Sequence, residues 1–95
     1  MTIATVISSG ATARPSSAIS IAAGASIVIF TDTDLSGTEN ITLTRSYDGG
    51  SNYRAVKGKA VCDVHNSEGR IYGPLTNGKL SITATSGSVV VYSDA

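Results

Sequence analysis

The chain has no tryptophan, one phenylalanine, one cysteine and one histidine. Each scarcity removes a class of protein. A lone cysteine, Cys62, allows no intramolecular disulfide, so the fold is not a stapled secreted framework. A structural zinc site needs four Cys or His ligands, and Cys62 and His65 are all the sequence offers. A cysteine nucleophile needs a base beside it. His65 lies three residues on, and in a strand these two positions face opposite ways. Cys62, in the alternating run "AVCDV", therefore reads as a small apolar strand residue. The carboxylates fall mostly in turns or near the termini, which does not make the paired acid and base of a glycosidase. Sugar and single-strand nucleic-acid platforms rest on broad aromatic surface. The four tyrosines, 47, 53, 72 and 92, keep only a thin version of the sugar option.

Charge is also scarce. Charged residues make up 15% of the chain, and seven basic residues balance seven acidic ones. That balance does not call for nucleic acid or an anionic membrane. No apolar run reaches the ~18–20 residues of a membrane helix. The opening "MTIATVISSGATA" has no basic stretch before its apolar residues, and it is expected to be a first strand and not a leader.

What is present is Ser, Thr, Gly, Val and Ile in short alternating runs. Ninety-five residues make one domain, and a domain of this size buries roughly 60–65% of its unfolded surface. Alternation predicts strands at about Thr2–Ser8, Ala18–Ala22, Ser26–Thr31, Asn40–Tyr47, Tyr53–Lys57, Ala60–Val64, Glu68–Tyr72, Lys79–Thr85 and Val89–Ser93. Turn signals every 8–12 residues or so point to an all-β, single-domain antiparallel sandwich of seven to nine short strands. Residues 1–17 are expected to be an N-terminal strand, or an arm adding to a neighbour's sheet, and residues 18–95 the sandwich itself. "ATARPSS", with Pro15, reads as a breaker. "SIVIFT" is apolar on both faces and is expected to be central or covered by a partner. "YDGGSN" is a hairpin turn, because Asp-Gly and Gly-Gly supply positive φ, and Tyr47 and Tyr53 are expected to brace it across the strands. The last two strands, joined by "SGS", are expected to form a second hairpin.

Polar clusters are few. In "DTDLSGTEN", residues Asp32, Asp34, Ser36 and Gly37 open like a calcium loop, but the twelfth position, where such loops place a bidentate Glu, is Leu43. Glu39 stands nearby as a possible substitute, and an ordinary solvated loop is the favoured reading. The glycine amides of "YDGGSNYR" could cradle an anion with Arg54, though a hairpin tip is the simpler account. Arg45 falls on the apolar register of its strand, where it could snorkel, pair with Asp48 or Asp63, or mark a partner surface. No catalytic, metal or cofactor residue is assigned.

"ITLTRSYDGGSNYRAV" resembles a pattern in small virion proteins of tailed bacteriophages, in which a strand of the form L-x-R-S-[FY]-D-G-G-[ST] leads to an aromatic residue and a short return strand. "GRIYGPLTNGKLSITATSGSVVVYSD" is similar to the closing part of that group. The likeness spans roughly Ser26 to Asp94, with Tyr53 standing where many relatives have Trp. It implies an immunoglobulin- or fibronectin-like β-sandwich with no enzymatic activity and no cofactor. It implies a capsid decoration (cement) protein that bridges capsomers, made in the bacterial cytoplasm and carried on the capsid surface. Its partners would be the major capsid protein or other virion proteins, and copies of itself, a trimer being favoured. Nucleic acid and membrane are not expected partners. A tail, connector or fibre-associated protein, or a carbohydrate-binding adhesive module, are the alternatives. Arg14, Arg45, Tyr47, Tyr53 and Arg54 are the expected contact residues, since Arg and Tyr are enriched at interface centres.

Overall fold

The computed structural model describes residues 3–56 and 60–95. Ten strands follow in chain order: β1 (Ile3–Gly10), β2 (Arg14–Pro15), β3 (Ile19–Ile21), β4 (Ser26–Thr31), β5 (Asn40–Ser46), β6 (Tyr53–Ala55), β7 (Cys62–Asp63), β8 (Glu68–Tyr72), β9 (Leu75–Ile82) and β10 (Val89–Asp94). No helix occurs among the described residues. One sheet has the order β1-β10-β4-β8. The other runs β2-β9-β5-β6, with β3 also on β9 and β7 also on β5. Every pairing is antiparallel. The chain is thus a single-domain β-sandwich.

Its strand order differs from the immunoglobulin- or fibronectin-like arrangement that the resemblance implied. In that arrangement the last strand lies beside the one before it. Here β9 and β10 belong to different sheets. Taking β2 with β3 and β6 with β7 as interrupted edge strands, the two four-strand orders are those of a jelly roll. The expected hairpin of the last two strands is accordingly absent. The physical reason is visible in the pairing. β9 is flanked by β5 on one side and by β2 and β3 on the other, and β10 by β1 and β4, so neither has a free edge for the other; Leu80, Ile82, Val89 and Val91 meet in one core from its two sides. Residues 83–88 cross between the layers.

The core is aliphatic apart from one thiol. Ile7, Ile29, Ile71, Val89 and Val91 come from the first sheet; Ile21, Ile41, Cys62, Leu75, Leu80 and Ile82 come from the second; Leu35 closes one end from the β4–β5 loop. Each fully buried aliphatic contributes roughly 1.5–3 kcal/mol, which explains how the fold manages with no tryptophan. Period-two alternation puts these residues inward along β5, β9 and β10.

Several boundaries moved. β9 begins at Leu75, ahead of the expected start at Lys79. Asn77 adopts φ 53° there, which kinks the strand without ending it. Gly78 suits the position beside it, because a Cβ there would lie 2.7 Å from Leu75 Cδ2 and push that side chain aside. The breaker "ATARPSS" supplies β2, with Pro15 opposite Ser81 on the sheet edge, where a missing N–H is tolerated. The expected strand at Ala60–Val64 is only Cys62–Asp63. Lys57, the end of another expected strand, and the "KGK" turn lie outside the described residues, as does Thr2. Residues Ile3–Gly10 pair with β10 of the same chain, through two register shifts.

The two layers are tied by one guanidinium. Arg14 sits on β2, in the second sheet. Its Nη2 donates to Ser8 O (2.9 Å) and Val89 O (2.8 Å), and its Nη1 donates to Thr12 O (2.7 Å). Ser8 and Val89 belong to the first sheet. Beside it, buried Ser16 brackets Leu80: its N–H donates to Leu80 O (2.8 Å) and its Oγ accepts from Leu80 N (2.9 Å).

Two substitutions test this account by thermal unfolding. Arg14→Ala is expected to cost about 2–3 kcal/mol, since hydrogen bonds from a charged donor contribute about 1.5–3 kcal/mol and three carbonyls lose theirs together. A melting temperature within about 2 °C of wild type would refute the tie, given roughly 4–8 °C per kcal/mol in a domain this size. Gly69→Ala is expected to cost at least 1–3 kcal/mol or so by overpacking, because its Cβ would run into the Val61 carbonyl oxygen.

Candidate functional site

Five residues were expected at a contact surface, and the sandwich separates them into three places. Arg14 is the inter-sheet tie and is committed to backbone carbonyls. It lies at the end of the sandwich carrying the loops 11–13, 32–39 and 83–88. The other four lie at the opposite end, around the β5–β6 hairpin.

There the register decides which residues meet. Arg45 pairs with Arg54, and Ser46 with Tyr53. Tyr47 N donates to Asn52 O. Tyr47 therefore shares a face with Arg45 and Arg54, while Tyr53 lies on the other face. The two tyrosines do not brace the hairpin across the strands as expected. Tyr53 instead lies under Lys79, whose Nζ is 4.6 Å from the ring centroid. Tyr47 is 68% exposed, and both arginines are exposed. Together with Ala55 and Val56, the arginines line a small open cleft of about 220 Å³. Arg45 is not paired with Asp48 or Asp63 among the described contacts. Those carboxylates hold backbone amides: Asp63 Oδ1 accepts from His65 N and Asn66 N.

Asp48 organises the hairpin tip. Its Oδ1 accepts from the amides of Ser51 (3.1 Å) and Asn52 (2.8 Å), and its Oδ2 accepts from Asn52 Nδ2 (2.7 Å). The bond from the Asn52 backbone is the largest cause that pulls its carboxyl down to about 2. Gly49 and Gly50 take φ of 84° and 116°, so the Gly-Gly pair is required by the turn.

The loop "DTDLSGTEN" does not gather its carboxylates. Glu39 Oε1 accepts from Ser36 N and Oε2 from Ser86 N, each at 2.8 Å, and these amides lower its pKa, Ser36 most. Asp32 Oδ1 accepts from Val90 N at 2.9 Å. Glu39 latches this loop to the β9–β10 crossover and Asp32 latches it to β10. No group of three His, Cys, Asp or Glu that could hold a metal occurs among the described residues. Cys62 is fully buried, with Sγ 3.4 Å from Ile29 O. Burial first, then the charges of Asp63 and Glu68, push its thiol up to about 11, while His65 is exposed.

A second surface is the outer face of the first sheet. Ile27 and Ile29 point inward, so Val28 and Phe30 point out. Phe30 pairs with Tyr92, and their rings stack at 5.4 Å. Val28, Phe30, Val90 and Tyr92 are half-buried, and Ile3 and Tyr72 on the flanking strands are 58% and 72% exposed. The outer face of the second sheet carries Thr42, Thr44, Ser46, Lys79 and Ser81 instead. The first exterior thus carries an apolar and aromatic cluster with Thr5, Glu68, Arg70 and Asp94 around it on the same face, whereas the second is covered mostly with hydroxyls. Reading the sequence picked out "SIVIFT" as apolar on both faces but not Tyr92 as its partner. The signal was the aromatic in "VVVYSD", and it becomes decisive only once β10 is placed beside β4.

Comparison with protein-family models, curated proteins and solved structures finds no match to the chain.

Titration of the Asp48 carboxyl by carbon NMR is expected to give a midpoint near 2 instead of its usual 3.8. Because the folded-state value is the lower one, its stabilisation of the hairpin is complete above that usual value and is lost as pH falls through about 2. In Asp48→Ala, amide exchange at Ser51 and Asn52 should quicken at least about tenfold; unchanged protection would remove Asp48 from this role. The Cys62 thiol is expected to resist a thiol-reactive reagent in the native protein at neutral pH and to react on unfolding.

Proposed function

We propose that this chain is a non-catalytic structural protein of a tailed-bacteriophage particle, most specifically a capsid decoration protein that bridges capsomers. It would be made in the host cytoplasm, act on the capsid surface and associate with copies of itself, a trimer being the favoured state. The observation that carries this reading is the apolar cluster on the outer face of the four-stranded sheet, with the Phe30–Tyr92 stack at its centre. An apolar cluster rimmed by polar residues, here Glu68, Arg70 and Asp94, marks a protein contact. The chain's likeness to small virion proteins around "TRSYDGGSNY" supports the particular role. Jelly rolls also occur widely in viral capsids and in lectins, a fold-level analogy that by itself assigns no function.

The mechanism is interfacial. Standard interfaces bury ~1,200–2,000 Å² in total, and each copy would repeat that contribution around the shell. Opening the shell would then require breaking those contacts together.

Light scattering followed by co-sedimentation with empty heads of the cognate phage tests the proposal. The expected result is an oligomer in solution, binding to shells and a raised shell melting temperature. The double variant Val28→Lys/Phe30→Lys should weaken shell binding by about a hundredfold or more, the effect of losing hot-spot contacts worth roughly 2–4 kcal/mol. Assembly into rings or tubes without shell binding would move the protein to the tail. Specific binding on a glycan array, with shells ignored, would replace the proposal with the adhesive reading.

A further inference from the structure

Arg45 and Arg54 stand directly opposite each other on neighbouring strands. Like charges in that position repel and destabilise the pair. Neither guanidinium donates a hydrogen bond to another described residue, and the carboxylates nearest in sequence, Asp48 and Asp63, are committed to backbone amides. On the other side of Arg45 lies Gly78, which brings no charge or side chain of its own to it. The arginines sit on the core-facing side of β5 and β6, just beyond Leu43, where the core ends.

We infer that this arginine pair is a binding site for a carboxylate on an extended acidic segment of a partner protein. Two guanidiniums on adjacent strands present their planar forks to one carboxylate, the geometry for which Arg is suited. Two further features favour a protein segment over a phosphate backbone. The first is the neighbouring groove: Val56 lines both the arginine cleft and a larger groove of about 720 Å³, whose walls are apolar at Leu43, Val61 and Ile71 and polar at Glu68 and Arg70, a mixture that suits a peptide. A nucleic acid would call for a spread of basic residues on a chain whose net charge is +0. The second is the edge. Tyr47 N bonds Asn52 O and Val56 N bonds Leu43 O, so residues of that parity on β6 face β5. The main-chain groups of Tyr53 and Ala55 point away, toward the unpaired edge. A strand added there would hydrogen-bond to them and set alternate side chains beside Arg54. An acidic residue at such a position reaches the pair, and apolar neighbours reach the groove.

The inference goes beyond the functional reading above, which places its contact on the outer face of the four-stranded sheet, and rests on it only in taking the chain as a protein that works by docking. The probe is a fluorescein-labelled peptide alternating glutamate with valine, compared with its serine-valine counterpart and with an oligo-dT strand, in fluorescence polarisation. The acidic peptide is expected to bind at least about tenfold tighter than either, and to weaken as salt rises. Arg45→Gln and Arg54→Gln should each reduce its affinity about tenfold. The same variants should melt at or about 1–3 °C above wild type when free, because a repulsion is removed. Equal binding of both peptides, or acidic-peptide binding unchanged by the variants, overturns the inference. So does oligo-dT binding that is as tight and lost with the same variants, or a lowered melting temperature, which would make the arginines part of the scaffold. Shell co-sedimentation separates the two readings. If the acidic peptide binds but shells do not, the site stands and the virion assignment falls; if shells bind but the acidic peptide does not, the site falls and the assignment stands.

Discussion

The guanidinium of Arg14 is the contact that makes two sheets into one body. Sheets of this kind attract across an aliphatic core, and that attraction has no direction. It leaves the layers free to slide or rotate. Directed bonds from one planar group restrict that freedom, because two of its three join β2 to carbonyls on β1 and β10 at once, and the third holds the connecting loop at Thr12. Gly10 fits the same arrangement: a Cβ there would approach Arg14 Cζ to 3.2 Å. Ser16, two residues on, fixes the same corner to Leu80. A segment that looks like a loop is therefore the joint of the molecule.

With that corner fixed, the ends of the sandwich differ in character. At the Arg14 end, Glu39 and Asp32 lace the 32–39 loop to the crossover and the last strand, and Thr85 N reaches Ala11 O. These loops are held mainly by bonds to backbone. At the hairpin end Asp48 stiffens the tip, yet Arg45, Tyr47 and Arg54 just beside it point to solvent. Rigid support beneath unpaired side chains suits recognition, because little ordering remains to be done on binding.

The fold class was readable because alternation is a local property. "ITLTRS" and "VVVYSD" declare strands by themselves, and "DGG" declares its turn. Layer assignment is not local. Leu80 and Val89 carry the same inward signal whether their strands adjoin or face each other, and the six residues between them, 83–88, suit either path. The sequence therefore read as a hairpin what is a crossing between sheets. β2 and the start of β9 were hidden for a related reason: Pro15, Asn77 and Gly78 carry turn propensities that an edge position and a kink absorb. At the candidate site, the face shared by Arg45 and Arg54 follows from strand register. The role of Arg14 does not, since its acceptors, Ser8 and Val89, lie on either side of it in sequence, the farther one 75 residues away.

The pairing of Ile3 with Asp94 on adjacent antiparallel strands has a mechanical consequence. Tension applied through both of those points would load the β1–β10 ladder as a zipper, opening its bonds one after another. Ladders loaded that way yield at small force, whereas ladders pulled in shear must break several bonds together. A body built like this withstands load when gripped by its broad faces, and peels when tugged by its two ends.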